Sequence, residues 1–381
     1  MHAAGLRPSS AGWRAVPALL LAALFLAAPP ASAEVAGPCS NCHTMHNSQN
    51  AEPMAWSYSG ASKVADSTPN SHLLVTDCLG CHTASDGATW KDAVTGAPIV
   101  FSMAEPGFGA SSDGGTTRQG LAAGNFYWVT QDDSFGHNIM SDDATLNVAP
   151  GDQSGCGNDS CHVNLDRGYT GSGHLQGRSA CLGCHLVSGG STPSVTSWHH
   201  AKGSTGLVDS AAKGWYRFLG GHEAGDGRGV SGIEDADWER IPTSSDHNEY
   251  LGRDGDKTGR GGFAVLGNTM TGFCTGCHGN FHVQDTTVGG SSPWLRHPSD
   301  APLPSSGEFA SYVTYDPLVP VARPVLSGVS STVTPGADMV MCLSCHRAHA
   351  SPYFKMLRWD IRSANLATAL AGCGVCHTRK R

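Results

Sequence analysis

Two cysteines followed directly by a histidine recur seven times in this chain, and that combination of residue types points to one chemistry. Six copies share the spacing Cys-x-x-Cys-His: Cys39/Cys42/His43, Cys78/Cys81/His82, Cys181/Cys184/His185, Cys274/Cys277/His278, Cys342/Cys345/His346 and Cys373/Cys376/His377. A wider copy, Cys156/Cys161/His162, has four residues between its cysteines. All 14 cysteines are used. Each thiol of a pair can form a thioether to one of the two vinyl groups of a haem, while the next residue places an imidazole under the iron. One such motif alone could be a redox pair or half of a zinc site. A disulfide framework, however, would not put histidine after every second cysteine, and separate zinc sites would not share one local signature. The motifs therefore imply seven covalently bound haem c groups, with His43, His82, His162, His185, His278, His346 and His377 as proximal iron ligands.

The other face of each iron decides its function. Of 19 histidines, seven follow cysteine pairs and His2 lies near the start, which leaves 11 for that face. His46, His72, His137, His199, His200, His282, His297 and His349 are the candidates for distal ligands, and His174, His222 and His247 rank below them. Methionines such as Met54 and Met103 read as packing residues, so low-potential bis-histidine ligation is the economical reading. His46 lies three residues after His43 and cannot swing to the far face of the same porphyrin. It must serve another haem, in this chain or in a neighbouring copy, and the same restriction applies to His349 after His346 and His282 after His278. His199 and His200 are adjacent, so in an extended segment they point to opposite sides.

The elements that must position these groups are short. Gly is abundant, at 49 of 381 residues, and strong helical runs are scarce. The expected fold is a mostly irregular, loop-rich multihaem cytochrome c with short helices, a few short strands and a haem-stacked core. Residues 1–33 read as a secretory signal, with Arg7 and Arg14, an apolar run over Ala15 to Ala28, and Ala31-Ser32-Ala33 before the cut. Residues 34–381 then form a single heptahaem domain with no membrane span in the mature chain. Two haem-free stretches, 85–154 and 186–273, read as covering loops and irregular structure, with strand-like runs at Pro98 to Phe101 and Phe126 to Thr130. The segment Trp294 to Pro324 suggests turns and one edge strand near Tyr312 to Tyr315. Ser351 and Pro352 suggest the start of a helix containing Phe354, Met356, Leu357 and Trp359.

Charge narrows the partners. Without the signal, 22 basic residues face 32 acidic ones, a balance of −10, which disfavours nucleic acid. Export agrees with the cofactor, because haem is attached to cysteines outside the cytoplasm. The expected location is extracellular, at the cell surface, or periplasmic.

Four stretches together resemble the filament-forming multihaem c-type cytochromes of metal-reducing bacteria, the cytochrome nanowires. They are Cys39 to Ser48, Gly136-His-Asn-Ile139, Trp294-Leu-Arg-His-Pro298, and Cys342 to Ser351 preceding Met356-Leu-Arg-Trp359. The resemblance implies a loop-rich protomer whose haems stack in alternating parallel and T-shaped pairs along a helical polymer. It also implies that His46 ligates a haem of the adjacent protomer. The count of seven motifs, and the close pair at Cys156 and Cys181, depart from the family pattern. The function expected on these grounds is an electron conduit and not an enzyme, passing electrons to other cytochromes or extracellular acceptors and polymerising into a conductive filament. Alternatives are a discrete soluble periplasmic shuttle, or a multihaem reductase with one open haem, which would need nearby acid–base residues.

Overall fold

The computed structural model describes residues 48–49, 52–53, 56–59, 62–65, 78–108, 120–139, 180–185, 206–220, 229–254, 267–275, 278 and 297–380. Its architecture is loop-rich, with one-turn helices and strands of two to four residues. The largest regular element is a six-stranded sheet in the order β10-β12-β11-β9-β8-β7. Its strands are β7 (Gly206–Val208), β8 (Gly232–Glu234), β9 (Glu249–Leu251), β10 (Ala301–Pro302), β11 (Ala322–Arg323) and β12 (Met339–Val340). Neighbours run antiparallel except β9 and β11, which pair in parallel through Tyr250 and Ala322. Pro302 sits on edge strand β10, where its missing N–H does least harm. Shorter pairs complete the regular structure: β1 (Ser48–Gln49) with β2 (Glu52–Pro53), β3 (Trp56–Ser59) with β4 (Ser62–Ala65), and β5 (Thr83–Ala84) with β6 (Phe101–Ser102).

Three apolar clusters hold these pieces, and each abuts a cysteine motif. Val208, Tyr216, Tyr250, Met270, Phe273 and Met339 pack around Cys274. Tyr315, Leu318, Val321, Val333, Trp359 and Val375 pack with Cys376, against Cys345 and Cys373. Leu79, inside the Cys78–Cys81 turn, packs with Phe101, Phe126, Val129 and Ala350. Fully burying a side chain such as Phe101, which is 1% exposed, contributes about 1.5–3 kcal/mol.

Four sequence expectations are corrected. Phe126 to Thr130 is a 3-10 helix and not a strand, because Asn125 turns the chain and its side chain accepts a hydrogen bond from Tyr127 N. Phe354 to Met356 is a single 3-10 turn with Lys355 and Met356 at positive φ, so no helix runs on to Trp359. Ser351 Oγ instead donates to the Leu357 carbonyl at 2.6 Å and closes a loop. The second haem-free stretch is less irregular than its glycines suggest, since it contributes β7, β8 and β9. The edge strand of the Pro-rich segment falls at β10, while Tyr312 and Tyr315 turn into the core.

Candidate haem sites

Five of the seven motifs lie wholly or partly among the described residues, and their backbones repeat one device. The N–H of each motif histidine donates to the carbonyl of the first cysteine: His82 to Cys78, His185 to Cys181, His278 to Cys274, His346 to Cys342 and His377 to Cys373, at 2.8–3.1 Å. One helical turn puts positions i, i+3 and i+4 on a common face. Both sulfurs and the imidazole are thereby brought to one side of the chain, the arrangement that clasping a flat macrocycle by its edge and its metal requires. The two other motifs, Cys39, Cys42 and His43 near the start and the wider Cys156, Cys161 and His162, lie outside the described residues. Cys277, the second cysteine of the fifth motif, lies outside them too.

The imidazoles are aimed by their rear nitrogens. Nδ1 of His82, His185 and His346 donates to the carbonyls of Pro98, Arg217 and Lys355 at 2.8–2.9 Å. Nδ1 of His137 and His297 donates to the carbonyls of Ala348 and Pro298 at 2.8 and 2.9 Å. A proton committed on Nδ1 leaves the Nε2 lone pair for a metal.

Three motif histidines face a candidate distal ligand. The ring centres of His137 and His278 are 6.1 Å apart, those of His185 and His349 6.0 Å, and those of His297 and His377 6.4 Å. Two metal–imidazole bonds of about 2 Å each, with the ring radius on both sides, call for about 6 Å between ring centres. The donors therefore fit iron held from both faces. Burial, followed by the neighbouring His185, pushes the His349 imidazole down to about 3, so it stays neutral as a ligand must. His137 and His185 are lowered for the same first reason.

Adjacent motifs also approach one another. The Cys342 thiol is lowered by its hydrogen bond with Cys274, from a different motif. The Cys345 thiol is raised to about 12 by burial and by its neighbours Cys373, Cys376 and Cys342. Buried donors at the indole nitrogens of Trp128 and Trp359 and at the Tyr315 hydroxyl have no protein partner, which fits a group carrying acceptors such as the haem propionates.

Other candidates fall elsewhere. His46, His72, His199, His200 and His282 lie outside the described residues. His247, ranked low in the sequence, is a buried core histidine, 1% exposed. It is stacked on Tyr315 with ring centres 3.5 Å apart and bonded to the Thr243 carbonyl and to Glu249. Sequence reasoning missed Glu308, whose carboxylate accepts a hydrogen bond from His377 Nδ1 at 3.2 Å. Nothing in the local sequence marks it, since 69 residues separate the two.

Among known proteins, a family model described as the doubled CXXCH motif matches residues 334–381. The C-type cytochrome OmcS of Geobacter sulfurreducens is 28% identical over 401 residues, which cover 89% of this chain and 83% of that one. Two solved structures align with the fold. The Outer Membrane Cytochrome S Filament from Geobacter sulfurreducens is 21% identical with a TM-score of 0.45, over 87% of this chain and 85% of that one. The OmcS nanowires of the same organism, determined by cryo-EM, are 20% identical with a TM-score of 0.42, over 91% and 99%.

Proposed function

We propose that this chain is an electron-transfer protein of the filament-forming multihaem c-type cytochrome kind, an exported conduit of seven bis-histidine haem c groups that polymerises into a conductive filament, a reading supported by its likeness to OmcS and by its cysteine-cysteine-histidine motifs. Each bound haem supplies a one-electron ferric/ferrous couple. The 14 motif cysteines, among them Cys39 with Cys42 and Cys156 with Cys161, hold the cofactors, and the seven motif histidines are the proximal ligands. On the distal side, His137 serves the site of His278, His349 that of His185, and His297 that of His377. The remaining four sites draw on His46, His72, His199, His200 and His282, with His46 acting on the adjacent protomer. The signal at residues 1–33 directs export to the cell surface or beyond, where other cytochromes or extracellular acceptors take the electrons.

The observation that carries this reading is the set of three histidine pairs with ring centres 6.0–6.4 Å apart. A metal closed on both faces by imidazole offers no position to a substrate, so the protein's work is to space the sites, exclude water and tune their potentials. The test is electron paramagnetic resonance of the pure ferric protein. Low-spin signals are expected throughout, including a strongly anisotropic one from His297 and His377, whose ring planes are 90° apart. A high-spin ferric signal overturns the closed-iron reading and revives the reductase.

A further inference from the structure

A ligating imidazole that uses Nε2 keeps a proton on Nδ1, and the acceptor of that proton sets how electron-rich the ligand is. His82, His137, His185, His297 and His346 all donate to neutral main-chain carbonyls. His377 donates to the Glu308 carboxylate. That carboxylate is held in place from several directions. Glu308 lies in the 3-10 helix Gly307–Ser311, its Oε2 accepts from Arg379 N at 3.3 Å, and its own carbonyl accepts from Thr378 Oγ1 at 3.0 Å. Phe309, the next residue, sets its ring edge-on to His377 at 5.0 Å. The His377 and Glu308 side chains are 25% and 19% exposed, so their interaction is screened less than at an open surface.

We propose that Glu308 is a potential-setting residue that holds the C-terminal haem site, Cys373/Cys376/His377, at a lower potential than a carbonyl partner would. The proposal rests on reading His297 and His377 as the axial pair of that site. A full negative charge on the Nδ1 proton draws it away from the ring and strengthens the imidazole as a donor. The ferric iron carries one more positive charge than the ferrous, so both the stronger donor and the nearby anion favour the ferric form. Reduction there adds one electron to iron and leaves the Nδ1 proton on His377. The site becomes an energetic step for electrons arriving from the Cys342/Cys345/His346 site, whose His346 leans on the Lys355 carbonyl. The positions along the chain are therefore not equivalent.

Glu308→Gln in the haem-loaded protein keeps the size and the acceptor oxygen but removes the charge. Spectroelectrochemical titration should show one midpoint shifted upward with the others in place. Glu105→Gln, at an exposed carboxylate outside the Glu308 segment, should leave that midpoint in place. A Glu308→Gln titration that overlays the wild type while all irons stay low-spin overturns the proposal. So does an equal shift of that same midpoint in the Glu105→Gln control. A new high-spin signal in Glu308→Gln overturns it in another way, because Glu308 would then only hold the ring in place. High-spin iron in the wild type would instead sink the axial-pair reading itself, so the two failures are distinguishable.

Discussion

Arg323 shows at the scale of one residue how a loop-rich chain keeps a defined interior. Its guanidinium donates to Glu249, to Asp338 and to the carbonyls of Ser330 and Thr332. Glu249 is fully buried and also accepts from Ser330 N and His247. Burial alone would raise the Glu249 carboxyl, but the bonds from His247 and Arg323 outweigh it and hold the group below its ordinary range. Removing one partner of such a pair costs about 3–5 kcal/mol, because the other charge is left buried and uncompensated. Arg323→Ala should lower the stability of the haem-loaded protein by that amount, read from the denaturant midpoint. The sign of the pH effect follows from the lowered carboxyl. Its contribution is complete above the unfolded value near 4.5 and is lost as pH falls through the folded value. Wild-type stability should therefore drop in acid, and Arg323→Ala should flatten that dependence.

At the scale of elements, the segment around His349 acts as a clamp for two sites at once. His349 N donates to the Ala123 carbonyl at 2.7 Å, and Asn125 N donates to the Ala350 carbonyl at 3.2 Å. His137 N donates to the His349 carbonyl at 3.0 Å, while its Nδ1 reaches Ala348. The two distal candidates thus lie on neighbouring backbones tied to each other. Gly124 makes the close approach possible: its φ is +87°, and a Cβ there would run into the Ala350 carbonyl. A side chain at such a φ costs about 1–3 kcal/mol before any clash. Gly124→Ala should displace His349 and His137 together and produce high-spin iron at the sites of both His185 and His278. Loss of one site alone would show that the two segments move independently. Gly-His-Asn-Ile and Cys-His-Arg-Ala-His were each conspicuous in the sequence, but their joint placement was not, because hydrogen bonds between residues about 210 apart leave no local pattern.

At the scale of the whole molecule, three of the described motifs lie near one another: Cys342 hydrogen-bonds with Cys274, and Cys345 feels the charges of Cys373 and Cys376. Polymerisation would need a connection from these sites to the next copy. His46, three residues after His43, cannot reach the far face of its own porphyrin, which makes it the candidate for that connection. His46→Ala should leave the protomer folded and haem-loaded yet unable to form filaments under the electron microscope. Long filaments from that variant would show that another group joins the copies. Among the described residues no helix is long and apolar enough to cross a membrane.

The sequence by itself pointed to the cofactor class and to the candidate attachment points, because thioether formation and proximal ligation require residues adjacent in the chain. It also indicated a loop-rich fold, since 49 glycines and the scarcity of strong helical runs leave little room for long elements. Only the tertiary structure decided that His137 faces His278, that His349 faces His185 and that His297 faces His377. The same holds for Glu308 behind His377 and for His247 in the core rather than at an iron. A distal ligand is defined by its position across a macrocycle and not by its neighbours in sequence, so any histidine of the right type is equivalent until folding brings one ring to the required 6.0 Å from another.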